Sequence, residues 1–134
     1  MLKILLVEDS TLFRKTFKDA LCRRFPSVLI EEAADGEEAL EKVARFLPHV
    51  LFMDVRLPGE SGLELTRSIK KRYPEMTVVI LTHHDLPEYR EAAHNVGADE
   101  FFSKGSLDLS DVAAFLVSTF SDRERGGTDD ATKT

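Results

Sequence analysis

The chain has no tryptophan and a single cysteine, Cys22, among its 134 residues. One thiol excludes an internal disulfide framework and fits a reducing compartment. Cys22 falls inside a helical pattern with no ligand cluster beside it, so it reads as a packing residue and not a reactive thiol. No apolar run approaches the roughly 18 residues that a membrane span requires. The N-terminus also lacks the basic, apolar and small-residue stretches of a secretion signal. Positive charge is scarce: 18 Lys and Arg face 24 Asp and Glu, a formal net charge of −6. That balance argues against non-specific binding to nucleic acid or to an anionic membrane. The absences leave a soluble cytoplasmic protein with no membrane insertion, of a length that fits one domain with a real core.

What is present is a set of short apolar runs with chemistry at their ends. Ile4-Leu5-Leu6-Val7, Val50-Leu51-Phe52-Met53, Val78-Val79-Ile80-Leu81 and Phe101-Phe102 read as buried parallel strands. A weaker strand spans 28–33, where Glu31 and Glu32 interrupt the apolar character. Helical patterns lie between the strands. The first carries Leu12, Phe13, Phe17, Ala20 and Leu21. The second opens at Asp35-Gly36-Glu37-Glu38, carries Leu40, Val43, Ala44 and Leu47, and ends at Pro48. The third opens at Ser61-Gly62-Leu63-Glu64, carries Leu65 and Ile69, and closes at Pro74. The fourth opens at Asp85-Leu86-Pro87-Glu88, places Tyr89, Ala92, Ala93 and Val96 on one face, and stops at Gly97. The fifth opens at Asp108 and carries Leu109, Val112, Ala113, Leu116 and Phe120. The pattern is (βα)5 over residues 1–120, an α/β domain with a doubly wound, five-stranded parallel sheet. Residues 121–134 have no large apolar side chain and read as a disordered tail or linker stub.

Glu8 and Asp9, Asp54, Thr82 and Lys104 each stand at or just beyond the end of a run. In an open α/β sheet that edge is where ligands bind. If the first and third strands are neighbours, the acids crowd together, and two carboxylates about 5 Å apart repel by roughly 3 kcal/mol at an effective dielectric of 20. Such a site raises a pKa or binds a cation. All-oxygen donors favour a hard ion, and Mg²⁺ suits carboxylates with water and a phosphate. A carboxylate beside Mg²⁺ can accept a phosphoryl group, with Lys104 neutralising its oxygens and Thr82 donating a hydrogen bond. The bland alternative makes Asp9 a helix cap, Thr82 a strand-end residue and Lys104 a solvated loop cation. It is reasonable for each residue alone and poor for all of them at matching strand ends.

With Met53-Asp54, Leu57-Pro58-Gly59 and Gly62 added, the set resembles the receiver domain of bacterial two-component response regulators over residues 1 to about 120. The resemblance implies a flavodoxin-like fold with strand order 2-1-3-4-5. It implies a phosphorylatable switch, with Asp54 as phospho-acceptor and Mg²⁺ held by Asp9, Asp54 and the carbonyl of Arg56, and by Glu8 through water. Thr82 and Phe101 correspond to the switch pair, and Lys104 to the family's cation. The positions that set phosphoryl lifetime are Arg56 and His84. Implied partners are a sensor histidine kinase or phosphotransfer protein, and a downstream protein or second copy bound through the 86–120 face. No direct nucleic-acid binding and no separate substrate turnover are expected. The sequence departs from the family pattern at three places. Glu8 stands where a second Asp is common, Phe101 lacks the hydroxyl of the common tyrosine, and Gly105 replaces a proline, so a trans peptide is expected after Lys104.

Two other classes share parts of this chemistry. An aspartyl-phosphate hydrolase wants Asp-x-Asp, but Asp54-Val55-Arg56 puts arginine in the second place. A flavin or nucleotide carrier wants glycine or hydroxyls after the first strand, and Glu8-Asp9 would repel its phosphate. The remaining tempting residues read as ordinary. Adjacent His83 and His84 point in different directions, His49 and His94 read as surface or helix-face residues, and Lys70-Lys71-Arg72 meets the negative end of a helix.

Overall fold

The computed structural model describes residues 1–83 and 86–120. His84, Asp85 and the polar segment 121–134 lie outside the described residues. Five strands, β1 (Lys3–Val7), β2 (Leu29–Ala33), β3 (Val50–Asp54), β4 (Thr77–Thr82) and β5 (Glu100–Ser103), form one parallel sheet in the order β2-β1-β3-β4-β5. Helices α1 (Thr11–Arg24), α2 (Gly36–Phe46), α3 (Gly62–Arg72) and α4 (Pro87–Asn95) connect them, and α5 covers 109–120. This is the flavodoxin-like (βα)5 sheet with the expected order 2-1-3-4-5.

Strand alternation explains why the sheet is covered on both sides. Leu5, Val7, Leu51, Met53, Val78 and Ile80 enter one cluster with Val43 of α2, Leu65 and Ile69 of α3 and Ala93 of α4. Ile4, Leu6, Val50, Phe52, Val79 and Leu81 enter the other with Phe17 and Leu21 of α1 and Leu116 and Phe120 of α5. Each buried Leu, Ile, Val or Phe contributes about 1.5–3 kcal/mol. Cap residues fix where the helices begin. Asp35 accepts from Glu38 N at 2.8 Å while the Glu38 carboxylate accepts from Ala34 N at 2.8 Å, a reciprocal arrangement that satisfies two end donors. Ser61 accepts from Leu63 N at 3.1 Å to start α3.

Several local expectations need correction. Leu12 is 77% exposed, because α1 begins at Thr11 and its inward face runs through Phe17 and Leu21. In α2 the expected Val43 is buried, and Ala39 one turn before it completes the inward row, whereas Leu40, Ala44 and Leu47 face outward. That helix ends at Phe46, and Leu47 takes the left-handed conformation at φ 50. Helix α4 opens at Leu86-Pro87, inside the expected 85–88 segment, with no side-chain cap bond from Leu86. His49 is half-buried, and its Nδ1 accepts from Lys3 N at 2.9 Å, so it is an internal acceptor at the base of the sheet. His94 is exposed on α4, as expected.

Candidate functional site

Strand parity decides which strand-end side chains meet. Glu8 continues the Ile4–Leu6 row, Asp54 the Val50–Phe52 row, and Lys104 follows Phe102, so all three emerge on the α1/α5 side. Val7 pairs with Met53, which brings Glu8 and Asp54 off adjacent strands at one level. Phe101 packs on the opposite side, in the cluster with Val78 and Ile80, and Thr82 closes β4 at the same edge as the acids, paired with Ser103.

Lys104 joins the two acids. Its Nζ donates to Asp54 Oδ2 at 2.9 Å and also to Glu8 Oε1. The Lys104 side chain is only 3% exposed, and its ammonium lies 4.3 Å from the centroid of the Phe13 ring, a favourable cation–π geometry. The second oxygen of Glu8 accepts from Ser10 N at 2.8 Å. Burial pushes the Glu8 carboxyl above its ordinary range; hydrogen bonds from Lys104 and the Ser10 amide oppose that shift, and the charge of Asp54 adds to it. Helix α1 is capped by Ser10, whose hydroxyl accepts from Phe13 N at 3.2 Å. Asp9 is therefore not the cap, and its exposed carboxylate stands with those of Glu8 and Asp54, all three offering oxygens within 4.8 Å of one another. Among the described residues the donor set is three hard oxygens with neither thiol nor imidazole, which fits a hard divalent ion.

The loop after Asp54 is built to hold its backbone. Leu57 and Glu60 pair across Pro58-Gly59 in a two-residue antiparallel ribbon, and Gly59 has φ +80. Proline followed by a positive-φ glycine is the signature of a type II turn. Gly62 N donates to Val55 O at 2.6 Å. A Cβ on Gly62 would sit 1.8 Å from the carbonyl oxygen of Asp54, so no larger residue fits without moving the acceptor strand. Arg56 N donates to Asp54 Oδ1 at 3.3 Å, and the Arg56 side chain is exposed. After Lys104 the chain is trans, as expected, and enters a short 3-10 turn over Lys104–Ser106.

Glu8, Asp9, Asp54 and Lys104 thus converge, as the spacing predicts. Thr82 is fully buried at the end of β4, and Phe101 is buried with the Arg90 guanidinium 4.5 Å from its ring centroid. His84 lies outside the described residues. Three contributors were not foreseen. Phe13 read as a core residue, because helical spacing does not reveal what lies above a ring. Arg14, whose Nη1 donates to the Glu8 carbonyl, carried no signal at all. Ser10 could have been found as a capping residue directly before the helical run.

Comparison with known proteins agrees with this geometry. The family model for the response regulator receiver domain matches residues 4–114. The transcriptional regulatory protein DegU of Brevibacillus brevis is 32% identical over 77% of this chain and 44% of its own length. The oxygen regulatory protein NreC of Staphylococcus carnosus is 34% identical over 84% of this chain and 52% of its own. The chain spans about half the length of these curated relatives. Among solved structures, a LuxR-family two-component response regulator from an Aurantimonas species has a TM-score of 0.79 at 28% identity, covering 89% of this chain and 84% of that one. The chemotaxis protein CheY4 of Vibrio cholerae has a TM-score of 0.77 at 28% identity, covering 87% and 96%. Family match, fold and strand-end acids agree: the chain belongs to the response regulator receiver domain family.

Proposed function

We propose that Asp54 is the phospho-acceptor of this receiver domain. The observation that carries the reading is the placement of Asp54 beside Glu8 and Asp9, with Lys104 bridged between Asp54 and Glu8. A carboxylate oxygen of Asp54 attacks the phosphorus of a phosphohistidine or a small phosphodonor. The new P–O bond forms as the bond to the donor breaks, and the donor leaves with the electron pair. Lys104 is then placed to turn from the carboxylate to a phosphoryl oxygen. Asp9, Asp54 and the Arg56 carbonyl would hold Mg²⁺, with Glu8 behind them, since both Glu8 oxygens already accept protein hydrogen bonds. When bound, the ion supplies charge neutralisation for the transferring group.

Thr82 and Phe101 serve as the switch pair. The Phe101 ring is already inside the fold, so its response is a repacking against Arg90 and α4. The 86–120 face then contacts a downstream protein or a second copy, and the phosphoryl donor is a sensor histidine kinase or phosphotransfer protein of the cytoplasm. The exposed Arg56, with no acceptor on its side chain, shields the phosphoryl group and lengthens its life, while a neutral His84 opposes it as a base. The test is a decay time course of the phosphoryl adduct in the parent, Arg56→Asn and His84→Glu proteins. Slower decay in the parent than in Arg56→Asn supports the shielding role, and a parent faster than both variants removes it.

A further inference from the structure

Two acids in β2 have no part in the chemistry above, yet they interrupt a strand that would otherwise be apolar. Glu31 faces Lys42, with Nζ and Oε1 3.8 Å apart. Glu32 has a more directed set of partners. Its Oε1 accepts from Arg14 Nε at 2.9 Å and its Oε2 from Lys18 Nζ at 3.0 Å. These two cations hold the Glu32 carboxyl below its ordinary range against the opposing effect of burial. Arg14 uses its other arm elsewhere: Nη1 donates to the backbone carbonyl of Glu8 at 2.5 Å. That carbonyl belongs to the peptide joining Glu8 to Asp9, the bond about which the exposed acid of the site is oriented.

The Glu8 residue is therefore fixed at each of its polar groups. Its amide donates to Ala33 O at 2.9 Å, its carboxylate accepts from Ser10 N and Lys104, and its carbonyl accepts from Arg14. Asp9 departs from this anchored unit. We propose that Arg14, held by Glu32, is a positioning residue that orients the Glu8–Asp9 peptide and thereby sets the affinity of the site for its divalent ion. The inference rests on the reading of Asp9, Glu8 and Asp54 as the Mg²⁺ site. Only arginine meets the geometry, because its planar fork spans two acceptors at once, whereas a lysine ammonium is a single point on a flexible stem. Helix α1 contributes too: Arg14 sits one turn after the Ser10 cap and donates its own amide to Ser10 O at 2.9 Å, so the reach of its side chain is set.

The sign of the effect separates this role from simple electrostatics. A fixed positive charge near an ion site repels the ion, so removing it by charge alone would tighten Mg²⁺ binding. Removing a positioning contact weakens binding; direct partners of metal ligands are worth roughly 10–100-fold, and Arg14, acting on the peptide that leads into Asp9, belongs at the low end of that range, about tenfold. The experiment is calorimetric titration of the purified chain with Mg²⁺ for the parent, Arg14→Gln, Arg14→Lys, Glu32→Gln and Lys18→Gln. Melting in EDTA checks folding, and phosphorylation by acetyl phosphate is read at saturating Mg²⁺. The expected result is a Kd about tenfold weaker for Arg14→Gln, an intermediate loss for Arg14→Lys and Glu32→Gln, and no change for Lys18→Gln. Final phosphorylation should recover in all of them once Mg²⁺ saturates. Unchanged or tighter Mg²⁺ binding in Arg14→Gln overturns the proposal, as does an equal loss in Lys18→Gln. Should Arg14→Gln fail to fold, parent-like affinity in both Arg14→Lys and Glu32→Gln overturns it instead. A parent that binds no Mg²⁺ defeats the underlying site reading, an outcome distinct from a parent that binds while the variants bind equally well.

Discussion

The two ends of the sheet treat charge in opposite ways. At the base, charged and polar side chains are paired within the fold. Lys3 N donates to His49 Nδ1 at 2.9 Å, and Lys3 Nζ donates to the Phe46 carbonyl at 2.7 Å. Asp99 accepts from Val78 N at 2.8 Å and from Lys70 Nζ at 3.0 Å. At the rim, among the described residues, Glu8 and Asp54 share the ammonium of Lys104, and Asp9 offers an oxygen within 4.8 Å of theirs. Two acids share that cation and the third stands open. At the base the described bonds tie the strands and helices together. The rim holds unresolved charge, and such local conflict in an otherwise consistent fold is where function is expected.

Substitutions at the two ends should separate these roles. The largest effect is expected at Asp54. Asp54→Asn should take up no phosphoryl group from acetyl phosphate with Mg²⁺, as read by intact mass, while it remains folded. Persistent labelling mapped to another residue would remove Asp54 from its role. Next is Gly62→Ala, where the added methyl meets the Asp54 carbonyl. Overpacking of this kind costs about 1–3 kcal/mol, and it should slow phosphorylation as well, because the displaced backbone carries the acceptor. Urea melts and labelling rates that both match the parent would show that the loop yields freely.

At the base, His49→Ala should cost about 1 kcal/mol through the lost Lys3 N–H acceptor and leave the labelling rate as it was. A loss of labelling without a loss of stability would blur the distinction between the ends. The smallest expected effect is in the pH dependence of stability. Glu8 has a raised pKa in the fold, so its contribution is fully present below the unfolded pKa and is lost as pH rises through the folded one. Glu32 has a lowered pKa, so its contribution is present above the unfolded pKa and is lost as pH falls through the folded one. Urea midpoints from about pH 4 to pH 7 should therefore rise more steeply with pH for Glu8→Gln than for the parent, and less steeply for Glu32→Gln. Parallel curves for all three proteins would contradict both shifts.

The rim was more legible in the sequence than many of its surroundings. Buried strands are continuous apolar runs, so their ends are sharp, and Glu8, Asp54, Thr82 and Lys104 stand out against them. Strand order came with the family resemblance, since nothing in the runs themselves says which is beside which. In α2 the sequence points correctly to Val43 but not to Ala39, because Leu40 and Leu47 are more apolar than an alanine, and helical spacing does not say which of two adjacent rows meets the sheet. The site contacts of Phe13 and Arg14 are hidden in the sequence for a related reason. Their contacts with Lys104 and with the Glu8 carbonyl run between segments that only the tertiary fold brings together. Glu31 and Glu32 registered only as interruptions, although they are anchors for Lys42, Arg14 and Lys18. His49 gave no sign in one dimension of the backbone amide it accepts from.

The central claim is that the crowded rim accepts a phosphoryl group with the help of a divalent ion, and the direct test is to treat the parent protein with acetyl phosphate in Mg²⁺ and in EDTA. Intact mass and peptide mapping then read the result. The account predicts a single phosphoryl adduct on the peptide that contains Asp54, formed readily with Mg²⁺ and scarcely in EDTA. Equal labelling in both conditions, or an adduct elsewhere in the chain, would contradict it.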